Sequence, residues 1–261
     1  MADLTVDLNC DMGESFGVYK LGCDEEIVKF VSSANIACGW HAGDPRVMDH
    51  TVALAAARGV GVGAHPGLPD LAGFGRRNMD LAPQEIQTGV LYQIGALQAF
   101  CRKHGVRLGH VKAHGSLYNL ASVHRETALA IVEAVRSFDP ALVLVAPAGS
   151  EMYLAARQCG LTVAGEVFAD RAYNPDGSLV PRRQEGAVIH DPETVAQRVV
   201  DMIREKCVRA IDGRRIPMKV DTVCVHGDNP NAVALAETVR NHLARAGIAV
   251  VPLERMQHHD G

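Results

Sequence analysis

The stretch Ala34-Asn35-Ile36-Ala37-Cys38-Gly39-Trp40-His41-Ala42-Gly43-Asp44 decides how the rest of the chain is read. It starts as a strand: Ala34, Ile36 and Cys38 share one parity and can pack, while Asn35 and His41 fall on the other. A short glycine-containing loop follows, and Asp44-Pro45 reads as a helix N-cap with a first-turn proline. A histidine and an amide are thereby offered at the C-terminal end of a strand, where α/β folds place their chemistry. Taken alone, the stretch is equally well a tight turn with a hydrogen-bonded histidine. The neighbouring segments have to separate the two readings.

Upstream, Val6, Leu8 and Cys10 alternate with Asp7, Asn9 and Asp11. Such a strand either turns its polar side to water or, in a barrel, sends it into a central site. Downstream, a helix is expected over residues 44–58, stopped by Gly59, and then a strand over 60–65 in which Gly61, Gly63 and His65 share a face. Two glycines beneath a histidine leave room for something beside the strand. A Gly- and Pro-rich loop, 66–77, carries Arg76 and Arg77 and has the character of a binding loop. The alternation continues with a helix to Lys103, a strand ending at His110, Lys112 and His114, and a helix over 126–135. Strand 142–146 and helix 149–158 come next, then a strand reaching Glu166 before a second loop with Asp170 and Arg171. A helix capped by Asp191, a strand running to His226 and Asp228, a helix capped at Asn229 and a last short strand complete the order. Seven or eight β-then-α units with short connections predict a parallel sheet with crossover helices. Polar side chains end nearly every strand, which favours a closed TIM-like (β/α)7-8 barrel over an open sheet. One domain over 1–256 is expected, with a loose tail over 257–261.

The net charge of -4 and the lack of a long basic run argue against nucleic acid or an anionic membrane as partner. No apolar run reaches the roughly 18 residues of a spanning helix, and the first residues lack the basic and apolar segments of a signal peptide. Seven cysteines without a C-x-x-C pair suit reduced thiols in the cytoplasm. G-x-x-x-x-G-K-[ST] is absent, so there is no P-loop.

The strand-end groups converge on one mouth if the barrel closes. Asp11, His41, His65 and His114 form a possible ligand set for a divalent metal, zinc or magnesium, that would polarise a carbonyl or activate water. Without metal, the same groups supply a base and a proton shuttle, with Lys112 as an oxyanion partner. Asp7 is a helper base or a buried hydrogen-bonded carboxylate. Asn9, Asn35, His65, Arg76, Glu166, Arg171 and His226 are candidates for holding substrate, the arginines through a carboxylate or phosphate. Asp44 is first a helix cap, Cys10 and Cys38 should face the helix layer, and Arg76-Arg77 is either a solvated pair or an anion site. Any one strand-end histidine has a structural reading; the concurrence of four strengthens the functional one.

Long segments are also familiar as a set: Asp7 to Glu14, Asn35 to Asp44, Gly63 to Gly67 with Gly73 to Arg76, Val111 to Asn119, Glu166 to Arg171 and His226 to Asp228. They closely resemble the LamB/YcsF family from about residue 4 to 253. Ala113 departs from the proline expected in the family's lysine–histidine motif and leaves Lys112 and His114 in place. The resemblance implies a barrel of the glycoside hydrolase and deacetylase type. It further implies ATP-dependent hydrolytic opening of 5-oxo-L-proline to L-glutamate, with ATP as co-substrate and with 5-oxoprolinase subunits B and C. The rival expectations are a stand-alone metal-dependent deacetylase or amidohydrolase and a non-catalytic substrate-binding subunit. Homo-oligomerisation stays open.

Overall fold

The computed structural model describes residues 4–225 and 231–256. The expected strand reaching His226 and Asp228 and the cap at Asn229 therefore lie partly outside the described residues, as does the tail from 257. The chain begins with β1 (Thr5–Met12), α1 (Asp24–Ile27), β2 (Ser33–Ala37) and α2 (Pro45–Arg58). β3 (Gly61–His65), α3 (Pro83–Lys103), β4 (Leu108–Lys112), α4 (Gly115–Val123) and α5 (Arg125–Phe138) follow. Next are β5 (Val143–Pro147), α6 (Glu151–Gln158), β6 (Val163–Phe168) and α7 (Pro192–Glu205). A hairpin of β7 (Cys207–Arg209) and β8 (Arg215–Pro217) precedes β9 (Thr222–Cys224), α8 (Ala232–Arg245) and β10 (Ala249–Val250).

The ring β1-β2-β3-β4-β5-β6-β9 closes because β9 pairs in parallel with both β6 and β1. The fold is thus a TIM-like barrel of seven parallel strands. β10 does not enter the ring. It pairs only with Thr5 and Val6, and the chain then turns into a short 3-10 helix whose Leu253 packs on Val143, Val145 and Ala164, sealing the barrel floor.

Strand alternation sorts the side chains. Val6, Leu8 and Cys10 join the apolar layer beneath the helices, as do Ala34, Ile36 and Cys38, and all are buried. Both Cys10 and Cys38 have thiols pushed up by burial, so the expectation that they are packing residues agrees with their setting. The other parity fills the bore with polar groups. Asp44 caps α2, accepting from the backbone N–H groups of Arg46 and Val47 at 2.8 and 2.9 Å.

Two elements differ from expectation. Residues 115–119 form the start of α4, which a leading glycine and a length of nine residues disguise in the sequence. The β7–β8 hairpin sits outside the barrel, its strands only three residues long, too short for an alternating pattern to register. The space beside Gly61 and Gly63 is filled by the chain itself. Register pairs Gly63 with both Asn35 and His110, and a Cβ at Gly63 would fall inside the His110 ring. Gly63→Ala is therefore expected to destabilise the barrel by about 3 kcal/mol, read from urea unfolding; an unchanged midpoint would contradict this packing.

Candidate functional site

Along the bore, each polar side chain is fixed by what its partners can do. The Lys112 ammonium lies 3.0 Å from Asp11 Oδ1, 2.9 Å from Glu166 Oε1, 3.2 Å from Asn9 Oδ1 and 3.3 Å from Cys224 Sγ. Burial disfavours its charge, but Asp11, Cys224 and Glu166 outweigh burial and hold its pKa well above the usual value. Burial also opposes the charge of Asp11, yet His65 and Lys112 keep that carboxyl well below its usual range. The pair is thus ionised. Asn35 donates to Asp11 Oδ1 and Asn9 Oδ1, each at 2.8 Å, which turns its own oxygen toward His110 Nε2 at 2.8 Å. Asn9 donates to Glu166 and Thr222. Tyr118 donates to the second oxygen of Glu166.

Asp7 lies deeper. Ser32 and Ser33 donate to it at 2.7 and 2.6 Å, with Thr222 on its other oxygen. Burial pushes its pKa up to about 6 against these hydroxyls. Asp7 is 0% exposed and stands apart from the mouth cluster.

Above this layer Glu14, His41, His65 and His114 bring four potential ligand atoms within 4.8 Å of one another. The expected ligand set named Asp11 where the cluster has Glu14. Strand parity points Asp11 down to Lys112, whereas Gly13 at φ 68° turns the chain so that Glu14 overhangs the mouth. A Cβ at Gly13 would lie 3.0 Å from Ile36 Cγ2, so only glycine makes this turn freely. Asp11 remains adjacent, with Oδ2 3.4 Å from His65 Nε2.

The tautomers follow from carbonyls, which only accept. His65 Nδ1 is 2.7 Å from Lys112 O, and His114 Nε2 is 2.8 Å from Phe74 O, so both of these nitrogens carry hydrogen. The nitrogens left over, His65 Nε2 and His114 Nδ1, face each other at 3.0 Å. Two lone pairs at that distance repel unless a proton or a cation lies between them. His41 stacks on His114 with centroids 3.7 Å apart, and among the described residues neither of its ring nitrogens has a hydrogen-bond partner. Burial, then the neighbouring histidines, push His41 well down, and burial followed by His65 brings His114 to about 3. Imidazole nitrogens gathered with their open sides toward one point are the donor set of a divalent-metal site. A tetrahedral zinc at roughly 2.0–2.1 Å from each nitrogen would set ligand atoms about 3.3 Å apart. Three of the six edges, 3.0, 3.4 and 3.6 Å, bracket that value and all four atoms lie within 4.8 Å of one another, so the donor set fits such an ion after a small closing of its wider edges.

The remaining candidates are distributed. Arg76 is exposed at the rim beside the Phe74 ring. Arg77 grips Asp70 and is not free for an anion. The Arg171 guanidinium donates to Val180 O at 2.6 Å and Ala187 O at 3.4 Å, bracing its own loop. His226 lies outside the described residues. Glu14 was legible only as one acidic group among several, and Tyr118 and the Phe74 carbonyl went unmarked because α4 and the loop conformation are not periodic features.

A parallel (β/α) barrel with three imidazoles and a carboxylate gathered at its mouth defines a TIM-like barrel with a candidate metal site. The LamB/YcsF family model matches residues 6–258. The 5-oxoprolinase A-subunit from Natranaerobius thermophilus is 56% identical over 248 residues, covering 95% of this chain and 96% of that one. The crystal structure of a lactam utilization protein from Thermus thermophilus superposes with a TM-score of 0.92 at 50% identity, covering 95% of this chain and 99% of that one. A deacetylase solved with substrate shares the fold at TM-score 0.50 and 12% identity, covering 97% and 89% of the two chains. This chain belongs to the LamB/YcsF family. No described helix is long and apolar enough to cross a membrane.

Lys112→Met would leave Asp11 and Glu166 as buried unpaired charges, and is expected to cost about 3–5 kcal/mol by urea unfolding. Asp7 gives a pH signature. Its folded pKa is raised, so between pH 4 and 6 the native state binds more protons than the unfolded one and stability falls as pH rises. Relative to Asp7→Asn, the wild type should lose about 2 kcal/mol between pH 4 and 7; parallel stability profiles would contradict the buried placement.

Proposed function

We propose that this chain is the lactam-opening subunit of an ATP-dependent 5-oxoprolinase, hydrolysing 5-oxo-L-proline to L-glutamate with partner subunits B and C. The observation that carries this reading is near-full-length identity to a 5-oxoprolinase A-subunit, combined with the Glu14–His41–His65–His114 cluster in the barrel mouth. A five-membered lactam is a stable amide; phosphorylation of its oxygen by ATP would activate the carbon for attack by water, departure of the protonated ring nitrogen would leave the acyl phosphate, and a second water would release phosphate and glutamate. The sequence has no P-loop, so the nucleotide is handled either by the partner subunits or by a site of another kind.

A divalent ion held by Glu14, His41, His65 and His114 would polarise the carbonyl or acidify water there. Exposure decides which other groups meet substrate. The side chain of Asp11 is 23% exposed, whereas Lys112 is 4% and Glu166 0%. Asp11 therefore touches the reactants, accepting a hydrogen bond from the attacking water or the lactam N–H. Lys112 and Glu166 act through it, keeping it ionised and oriented. Arg76 at the rim offers a fork for the substrate carboxylate. Asn9 and Asn35 hold Asp11 and Lys112 rather than the substrate itself.

The test mixes this chain with subunits B and C, ATP and 5-oxoproline, and measures glutamate. Turnover should require all components, and Asp11→Ala or His65→Ala should lower it at least about 100-fold. Undiminished turnover in either variant would sink the site assignment. Chelator-sensitive hydrolysis by this chain alone, without ATP, would favour a metal-dependent amidohydrolase instead.

A further inference from the structure

The loop between β3 and α3 contains Phe74 at φ 55°, a left-handed conformation unfavourable for a residue with a side chain. Such a conformation persists only where its surroundings over-determine it. Here they do. The buried Asp70 carboxylate accepts from Gly73 N at 2.9 Å and Arg77 N at 3.2 Å, and takes Arg77 Nε at 2.8 Å. Gly75 N donates to Asp70 O at 2.9 Å, while Gly75 O accepts from Ser116 N at 2.9 Å at the start of α4. The peptides on both sides of Phe74 are thus tied down. Gly75 is equally constrained, since a Cβ there would lie 2.7 Å from His41 Cβ and 2.8 Å from His114 Cδ2. The outcome is that the Phe74 carbonyl stands 2.8 Å from His114 Nε2, with the Phe74 ring edge-on to both His41 and His114.

We propose that Asp70 and Arg77 are positioning residues for the mouth cluster: their clamp presents the Phe74 carbonyl to His114 Nε2–H and so aims the His114 Nδ1 lone pair at His65 and Glu14. The proposal rests on the reading of the cluster as a divalent-cation site, and its chemistry is that of an outer partner that fixes the tautomer and rotation of a ligand imidazole. Neither residue reaches the reactants. Arg77 is 67% exposed and covers Asp70 from outside.

The experiment has two arms on the full chain. In the metal-free, ¹⁵N-labelled protein, the His114 ring N–H is sought by NMR. A ring N–H open to water exchanges too fast to be seen, whereas one donated to a buried carbonyl persists. In the second arm, zinc affinity is measured by competition with a chromophoric chelator. The wild type should show the ring signal. Asp70→Asn and Arg77→Met should lose it and bind zinc about 10- to 100-fold more weakly. Arg77→Lys keeps the charge without the fork and should fall between, a milder variant if the others do not fold. A loop that merely stabilises the barrel would lower the melting temperature and leave both signal and affinity intact, and that result overturns the proposal. If no form binds zinc, the cation reading of the cluster fails separately, and the ring N–H arm still decides the clamp.

Discussion

A lysine ammonium inside a seven-stranded barrel has to be neutralised where it stands. Lys112 comes from β4, and its two carboxylates come from β1 and β6, so the ion triad spans the bore. Removing Lys112 would leave two carboxylates facing each other without a cation in a site with little water, whereas removing either carboxylate leaves the other paired with the lysine. The same demand reaches outward. Glu166 also takes Asn9 and Tyr118, and Asp11 takes Asn35. Since carboxylates only accept, these contacts leave the orientation of each amide without freedom, and through Asn35 they fix the protonated nitrogen of His110. A barrel interior of this kind is specified by hydrogen-bond direction as much as by volume.

The bore is therefore graded. At the floor, Leu253 packs under apolar strand residues, and Asp7 sits among three hydroxyls. In the middle lies the Lys112 triad with its amides. At the mouth Glu14 meets three imidazoles, and among the described residues the ring nitrogens of His41 find no hydrogen-bond partner. Satisfied polar groups rigidify a fold, whereas unsatisfied ones mark where something is received. The gradient runs from structural to chemical over one strand length, and β1 displays it in Asp7, Asn9 and Asp11.

Much of this was legible in the sequence, because parity and strand order are periodic. The alternation in Val6 to Asp11 separates the helix-facing layer from the bore, and the recurrence of His41, His65 and His114 at strand ends points to one mouth. What escaped depends on local backbone geometry or on distant partners. The turn at Gly13 that substitutes Glu14 for Asp11 is a matter of one positive φ. Arg171 stands beside the site in sequence but is drawn away by the carbonyls of Val180 and Ala187, which no motif announces. Asp7 shares a face with Asp11 along β1, and only the fold shows that the serines of β2 and its preceding turn donate to it.

Lys112 also ties the two halves of this gradient together through its main chain. Its ammonium holds Asp11 ionised, and its carbonyl, 2.7 Å from His65 Nδ1, sets the tautomer that turns His65 Nε2 toward the cluster. A shift of β4 along its axis would therefore move the charge on Asp11 and the lone pair of His65 at once. The opposite wall of the mouth has the Phe74 carbonyl doing the same for His114 from a loop. One ligand is oriented by a fully buried strand of the ion triad and the other by a surface loop in a strained conformation. The two imidazoles facing each other at 3.0 Å thus owe their approach to unrelated parts of the chain. Each is anchored from behind, so a proton or a cation between them meets two nitrogens already held in place.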